Sequence, residues 1–324
     1  MKAFVRDEFG GPEVLEIRDV PVPEPGPGQV VVKVRASSVQ PWDWHNLRGE
    51  PRVARLMGGV GRRRPLYPVL GADLAGDVTA VGPDVTTVGV GDAVYAMPLG
   101  GGFAEYALVD ETALAPKPEN FSYEEAAAVP LSALTALMAL RDDGNLTEGQ
   151  SVLVTGASGG VGIFTVQLAK ALGASQVTAV SGPHAADLLT SLGADTIIDR
   201  TKDDFTRTAT PHDLLIDIAG AHSARATRRA LTPKGALVVV GGPGGRWISP
   251  VNHVISAMAL APFISQRVAL TDVTASKTIA ADLAFLTSTN LKPILDRTYP
   301  FPDLPAALQA QEHTSTTGKL VLTF

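Results

Sequence analysis

The sequence predicts a two-part α/β protein, with a parallel sheet in the middle of the chain and a β-rich unit built from both ends. Between residues 151 and 240, apolar strands alternate with helical segments, which is typical of a parallel sheet covered on both faces. Before residue 121, short β-branched runs are bounded by Pro and Gly turn signals. At 324 residues the chain is long enough for two domains of ordinary size.

Composition narrows the function. Cysteine is absent, so disulfides, a thiolate nucleophile and Cys-ligated zinc are excluded. The formal charge of −6 argues against a broad basic surface for nucleic acid. Met1–Val5 lacks the apolar core of a secretory signal, and the longest apolar stretch, near Val251–Ile264, is interrupted by Asn252, His253 and Pro262. We expect a cytoplasmic protein that binds neither nucleic acid nor membrane.

The pattern predicts a division into residues 1–121 with 262–324, and residues 122–261. Ser122 can cap a helix whose first turn carries Glu124 and Glu125, and an Ala- and Leu-rich run follows to Leu140. The expected central strands are Ser151–Thr155, Val177–Ser181, Thr196–Asp199, Leu214–Ile218 and Leu237–Val240, with helical segments at Val161–Leu172, Ala185–Leu192 and His222–Leu231. The outer part is expected to contain strands at Val30–Ala36, Asp77–Val81, Ile294–Tyr299 and Lys319–Phe324, and a helix around Ala275–Leu286.

A glycine-rich turn follows the first central strand. It runs from Gly156 to Gly162 and leads directly into a helix. Small residues there allow a tight turn and close approach to a pyrophosphate, which the helix N-terminus would hold. The sequence therefore predicts a Rossmann dinucleotide site at Ala157, Ser158, Gly159, Gly160, Val161 and Gly162. An ordinary tight turn is the alternative.

Residues at the ends of later strands favour NADPH over NADH. The second strand ends at Ser181, where an NAD site usually presents an acid to the ribose. Arg200, after the third strand, could pair with a 2′-phosphate, and Ser181 could donate to it. A solvated loop is the alternative for both. Gly241 and Gly242, after the fifth strand, are expected to contact the nicotinamide ribose unless they form a plain turn.

Six ordered segments resemble the zinc-free, quinone-oxidoreductase-like (zeta-crystallin-like) branch of the medium-chain dehydrogenase/reductase superfamily. They are Ser38–Asp43, Pro68–Gly76, Gly91–Val94, Gly102–Tyr106, Ala126–Thr135 and Gly318–Leu320. The resemblance covers nearly the whole chain. It implies a GroES-like substrate domain made from both chain ends, a Rossmann domain between them, and a homodimer.

The resemblance also implies a site without metal. Zinc-dependent relatives have a Cys where this sequence has Gln40, and a His-Glu pair where it has Ala72 and Asp73. Neither Gln nor Ala replaces those ligands. By resemblance, Thr135 lies beside the nicotinamide, and Gln40, Asp43 and Tyr67 lie near the substrate.

Two of these residues have structural alternatives. Asp43 could instead brace the Pro41–Leu47 segment, and Tyr67, a candidate proton donor, could instead pack before Pro68. Trp42 and Trp44 could line a planar substrate's pocket or belong to the core.

These features predict an NADPH-dependent, zinc-free reductase that transfers hydride to a quinone or an activated alkene. Two alternatives stay open: a substrate-specific ene-reductase of a biosynthetic pathway, and an NADPH-binding sensor without turnover. A short-chain dehydrogenase also shares the glycine pattern. It is disfavoured because the turn lies in mid-chain and no Tyr is followed four residues later by Lys.

Overall fold

The computed structural model describes residues 1–57, 64–242, 247, 251–261, 264–313 and 316–324. The chain forms two compact units. An outer unit combines Met1–Leu134 with Thr274–Phe324, and a central unit comprises Thr135–Val273.

The central unit contains a parallel sheet whose six described strands have the order β10-β9-β8-β11-β12-β13. This is the Rossmann order. From the first strand, β8, the chain adds two strands on one side of the sheet and then crosses over to add the remaining strands on the other side. It confirms the predicted parallel α/β fold. The strands are β8 (Ser151–Thr155), β9 (Gln176–Ser181), β10 (Thr196–Asp199), β11 (His212–Asp217), β12 (Leu231–Val239) and β13 (Arg267–Leu270).

Helices connect these strands. The helix after the glycine-rich turn is α5 (Gly160–Ala171), and the later ones are α6 (Ala186–Ser191), α7 (Phe205–Thr208), α8 (Ala224–Thr227) and α9 (Val251–Leu260). The predicted segment His222–Leu231 forms α8 followed by a 3₁₀ turn at Arg228–Ala230. Buried side chains from the sheet, including Leu153, Leu215 and Leu237, pack with Ala224 and Ala257 of the helices.

The outer unit contains a largely antiparallel sheet of order β14-β15-β3-β4-β5-β7, to which β6 adds by pairing with β3. A hairpin of β1 and β2 accompanies it. The strands are β1 (Lys2–Val5), β2 (Glu16–Asp19), β3 (Gln29–Val39), β4 (Leu74–Val81), β5 (Ala93–Ala96), β6 (Tyr106–Asp110), β7 (Leu114–Pro116), β14 (Leu295–Pro300) and β15 (Lys319–Thr323).

Six helices begin in the outer unit: α1 (Pro41–Arg48), α2 (Arg52–Met57), α3 (Tyr123–Ala127), α4 (Pro130–Met138), α10 (Ile279–Ser288) and α11 (Leu304–His313), counted within the described ranges. Ser122 caps α3 as predicted, because its hydroxyl accepts the N–H of Glu125 while the Glu125 carboxylate accepts the N–H of Ser122. Pro130 begins α4 at its first position, so the predicted Ala- and Leu-rich run is two helices.

These units differ from the division at residues 121 and 261 expected from the sequence. Helix α3 packs on β3 and β4 and therefore belongs with the outer unit. Strand β13, which the sequence pattern did not reveal, pairs with β12 and extends the central unit to Val273. Residue 262 itself lies outside the described residues. The functional assignment of the two parts stays a proposal.

Candidate functional site

The glycine-rich turn after β8 has the geometry that its composition predicts. Gly156 has a φ of 65°, and a Cβ on Gly162 would lie 2.3 Å from the Gly156 carbonyl oxygen, so neither position tolerates a side chain. Ala157, which replaces the first glycine of the pattern, is fully buried and donates its N–H to the Val180 carbonyl at 3.2 Å. Helix α5 begins at Gly160.

The predicted cofactor residues of this turn fall into two groups. Ala157 and Gly162 are buried and shape the backbone, whereas Ser158, Gly159, Gly160 and Val161 are partly exposed. The first turn of a helix leaves N–H groups without partners inside the helix. The exposed backbone therefore offers donors and the positive end of the α5 dipole to a pyrophosphate.

A buried carboxylate holds the carboxyl edge of the sheet together. Oδ1 of Asp217, at the end of β11, accepts the Thr155 hydroxyl at 2.7 Å and the Gly220 N–H at 3.0 Å. Oδ2 lies 3.1 Å from Nε2 of His253 on α9. Asp217 thereby joins the ends of two neighbouring strands to the start of α9. Neither Asp217 nor His253 belongs to a local sequence motif that indicates this role.

Gly241, predicted to contact the cofactor, lies at the same edge. A Cβ there would lie 2.8 Å from the Ile218 carbonyl oxygen, so close backbone packing requires glycine. Its N–H points to the Asp217 carbonyl at 3.4 Å. Gly242 is partly exposed, and the glycines that follow lie outside the described residues. Thr135, the other predicted nicotinamide neighbour, is buried in α4.

The end of β9 carries the features on which the NADPH prediction depends. Ser181 is buried, and its hydroxyl donates to the Gly182 carbonyl at 3.0 Å. Arg200 is exposed; its N–H donates to the Ser181 carbonyl at 2.9 Å, and its Nε lies 4.0 Å from where a Cβ on Gly182 would be. The His184 ring also lies against Gly182. Basic side chains therefore flank this strand end.

One acid lies near this strand end. Asp199 is the register partner of Ser181 on β10. Its Oδ1 accepts both the N–H and the hydroxyl of Thr201, at 2.9 and 2.7 Å, and these bonds lower the pKa of the Asp199 carboxyl. The Asp199 carboxylate is thus ionised, and one of its oxygens is engaged by Thr201 in the loop that follows β10.

The outer unit contains a buried polar cluster that includes Gln40 and Asp73, two of the residues predicted by resemblance to stand where zinc-dependent relatives have ligands. Nζ of Lys319, on β15, donates to Oε1 of Gln40 and to the Ser132 hydroxyl, both at 2.8 Å. Nε2 of Gln40 donates to Oδ2 of Asp73 at 3.0 Å, and Lys319 Nζ lies 3.9 Å from the same oxygen. All four side chains are at most 2% exposed. We call Lys319, Gln40, Asp73 and Ser132 the buried lysine cluster.

Further donors complete this cluster. Asp73 accepts the Ser38 hydroxyl at 2.8 Å and the N–H of Leu131, in the first turn of α4, at 2.9 Å. Burial lowers the pKa of Lys319 and raises the pKa of Asp73, while their mutual attraction opposes both shifts. Gln40 was predicted near the substrate, and both polar ends of its amide are engaged within the protein.

Asp43 braces the backbone around α1. Its carboxylate accepts the N–H of Gln40 and the N–H of Gly71, each at 3.1 Å, and the side chain is fully buried. Burial, with the nearby charge of Asp73, raises the pKa of Asp43 to about 7. These bonds match the structural alternative named for Asp43; a direct role with substrate stays a prediction.

Tyr67 and Trp42 are half-buried beside the Leu99–Gly102 loop. A Cβ on Gly100 would lie 2.6 Å from Cδ1 of Tyr67, so the phenol ring packs on that glycine. The indole N–H of Trp42 donates to the Leu99 carbonyl at 3.3 Å. The Tyr67 hydroxyl has no hydrogen bond within the described part of the chain, and partial burial raises its pKa. It is therefore protonated at neutral pH.

The residues around Gln40 do not fit a zinc ion. Catalytic zinc takes imidazole, thiolate and carboxylate ligands. The cluster offers a single carboxylate with an amide and a hydroxyl, and it already holds an ammonium group. No group of three or more His, Asp or Glu side chains arranged to hold a metal exists among the residues the structure describes.

Replacing Lys319 tests the buried lysine cluster. Lys319→Met leaves Asp73 buried without its cation and is expected to lower the free energy of unfolding by about 3–5 kcal/mol in urea titrations. The double variant Lys319→Met with Asp73→Asn removes both charges and should recover much of that loss. Lys234→Met, at an exposed lysine, is the control. A loss in Lys319→Met no larger than in the control would contradict the prediction.

The His253–Asp217 contact predicts a pH-dependent stability. The hydrogen bond to Asp217 raises the pKa of His253, so its stabilisation is complete below the ordinary value of about 6.5 and is lost as pH rises through the raised pKa. His253→Gln should lower the free energy of unfolding at both pH values. The loss at pH 6 should be about 1 kcal/mol larger than the loss at pH 9. His313→Gln, at an exposed histidine whose ring lies 3.7 Å from the Glu312 carboxylate, should show a much smaller difference, because exposed ion pairs contribute little. Equal losses at both pH values would refute the link.

Comparisons with known proteins identify the family. The model described as the alcohol dehydrogenase GroES-like domain matches residues 26–119, and the model described as zinc-binding dehydrogenase matches residues 192–322. A 2-methylene-furan-3-one reductase of Solanum lycopersicum is 35% identical over 78% of this chain and 66% of its own. A chloroplastic quinone oxidoreductase of Triphysaria versicolor is 39% identical over 61% of each chain. The chain thus spans less than two thirds of these two relatives.

Other relatives and solved structures match over more of their length. A chloroplastic NADPH-dependent alkenal/one oxidoreductase of Arabidopsis thaliana is 31% identical over 99% of this chain and 79% of its own. The quinone oxidoreductase structure from Coxiella burnetii is 28% identical over 100% and 99% of the two chains, with a TM-score of 0.83.

Two further structures match both chains over their full length. An NAD-dependent alcohol dehydrogenase is 30% identical, with a TM-score of 0.83. A mycobacterial protein in complex with NADPH is 27% identical, with a TM-score of 0.81. The chain belongs to the zinc-free, quinone-oxidoreductase-like branch of the medium-chain dehydrogenase/reductase superfamily.

Proposed function

We propose that this protein is an NADPH-dependent reductase that transfers hydride to a quinone or to an alkene activated by a carbonyl group. The observation that carries the proposal is the buried lysine cluster, in which Gln40 and Asp73, the predicted replacements of zinc ligands, bond to Lys319 and to each other. These side chains cannot polarise an alcohol or aldehyde as zinc does. The acceptor must then be electrophilic by itself. The names of the tomato, Triphysaria and Arabidopsis relatives support this class of acceptor.

The chain's own residues supply binding and orientation. A bound nicotinamide would supply the hydride. The exposed backbone of Ser158–Val161 and the N-terminus of α5 would hold the pyrophosphate, and the backbone at Gly241 and Gly242 would lie along the cofactor at the carboxyl edge of the sheet. Thr135 is expected beside the nicotinamide.

The cofactor preference depends on the end of β9. Arg200 places positive charge beside Gly182, where the His184 ring also lies, and Asp199, the acid nearest in register, accepts two hydrogen bonds from Thr201. A 2′-phosphate would meet the Arg200 guanidinium there, whereas Ser181, the residue that ends β9, offers a ribose hydroxyl no carboxylate of its own. The NADPH complex of the mycobacterial relative supports this preference, and the NAD-dependent relative makes a direct comparison of both cofactors necessary.

Oxidation of NADPH in the presence of 9,10-phenanthrenequinone and a panel of enones tests the function. We expect turnover, with kcat/KM for NADPH above that for NADH. Arg200→Ala should lower kcat/KM for NADPH about 10- to 100-fold, the equivalent of one charge-assisted hydrogen bond, and leave that for NADH nearly unchanged.

Arg207→Ala is the matched control, because Arg207 is an exposed arginine whose partner is Asp204. If the protein binds NADPH but reduces none of these acceptors, the proposed reductase activity is wrong and the protein is better described as an NADPH-binding sensor. A clear NADH preference of the wild type would refute the role of Arg200.

Tyr67 is the candidate donor for the proton that follows hydride transfer. Its raised pKa keeps the phenol protonated, and among the described residues its hydroxyl has no hydrogen-bond partner. If Tyr67 is the acid, Tyr67→Phe should lower kcat for enones by about 10²-fold or more at unchanged NADPH affinity. An unchanged kcat would assign protonation to water and leave Tyr67 as a packing residue.

Assembly and location are also proposals. We propose that the protein is a homodimer, and sedimentation equilibrium would test this. We also propose that it is cytoplasmic. Within the described residues, no helix is both long and apolar enough to span a bilayer.

A further inference from the structure

In the segment Leu99–Gly102, a leucine is followed by three consecutive glycines. Tyr67 packs on Gly100, Gly101 has a φ of 89°, and a Cβ on Gly102 would lie 2.8 Å from both the Gly71 carbonyl oxygen and the Ser37 hydroxyl. Each glycine therefore has a steric reason. The side chain of Leu99 has no such explanation from its sequence neighbours.

Leu99 adopts a backbone conformation that leucine disfavours. Its φ is 64°, in the left-handed region where the Cβ of an L-residue crowds the following carbonyl. Two hydrogen bonds hold it there: its N–H donates to the Ala72 carbonyl at 3.2 Å, and its own carbonyl accepts the indole N–H of Trp42 at 3.3 Å. Glycine would adopt this conformation without strain.

The surroundings of Leu99 belong to the substrate side of the proposed enzyme. Its N–H partner Ala72 adjoins Asp73 of the buried lysine cluster, and its neighbour Gly100 carries the Tyr67 ring. Leu99, Trp42 and Tyr67 are each half-buried, so each still has surface to offer a ligand. We call these three residues the apolar wall. An aromatic and aliphatic wall of this kind suits a flat, conjugated ring.

We propose that Leu99 is a specificity-determining residue, whose side chain packs against flat cyclic acceptors such as ring quinones and favours them over small open-chain enones. The inference rests on the proposed function and adds a residue and a substrate shape to it. Loss of the side chain removes apolar contact that a large ring makes and a small enone does not.

The experiment compares kcat/KM for 9,10-phenanthrenequinone and for but-3-en-2-one in three variants. Leu99→Ala removes the side chain and keeps the disfavoured φ, whereas Leu99→Gly removes both and should unfold at a higher temperature than Leu99→Ala. Both should lower kcat/KM for the quinone about tenfold and change that for the small enone less than about twofold. Asp84→Gly is the matched control, because Asp84 has a φ of 68° in an exposed turn. It should change neither rate.

The outcomes separate this inference from the proposed function. A wild type that reduces neither acceptor overturns the proposed function, and the inference with it. A wild type that reduces both, with an unchanged quinone-to-enone ratio in Leu99→Ala and Leu99→Gly, overturns the role of Leu99 alone. Should Leu99→Ala fail to fold, Leu99→Gly still decides, since it relieves the backbone. An equal fall for both acceptors would also overturn the inference.

Discussion

The hydrogen bonds of one buried ammonium group, that of Lys319, join distant parts of the outer unit. An ammonium group inside a protein is stable only when neighbouring groups replace the water it has lost. Lys319 obtains acceptors from Gln40 at the end of β3 and from Ser132 in α4, with Asp73 close by. Because β15 also pairs with β3, the last strand of the chain is fixed to its first half by both backbone and side-chain bonds. The charge thus specifies where the separated ends of the chain meet.

In the central unit, a buried carboxylate similarly joins segments that are distant in sequence. Asp217 is satisfied by Thr155, Gly220 and His253, so the strand end that precedes the glycine-rich turn is held before any ligand arrives. The turn itself needs little more than the absence of side chains at Gly156 and Gly162. Rigid backbone at this edge lowers the entropic cost of ordering it when a cofactor binds.

Local pattern determines which parts of this structure can be predicted from the sequence. The strands Ser151–Thr155 and Thr196–Asp199 lie where they were predicted, because apolar runs bounded by turn residues are local signals. Strand β13 was missed, since four residues with an exposed Arg267 and Leu270 show no strand pattern and need β12 as partner. Contacts between distant residues give no local signal either. Lys319 and Gln40 are 279 residues apart, and the sequence indicated only that Gln40 replaces a metal ligand.

The buried lysine cluster also limits what chemistry its charge can perform. Two of the three N–H donors of Lys319 are engaged by Gln40 and Ser132, and the side chain is only 2% exposed, so its charge compensates Asp73 rather than facing an incoming oxygen. A carbonyl substrate would gain little polarisation from it. Quinones and enones need less, because conjugation delocalises the negative charge that hydride transfer creates. The buried contact of Lys319 with Asp73 is therefore also consistent with the proposed class of acceptor.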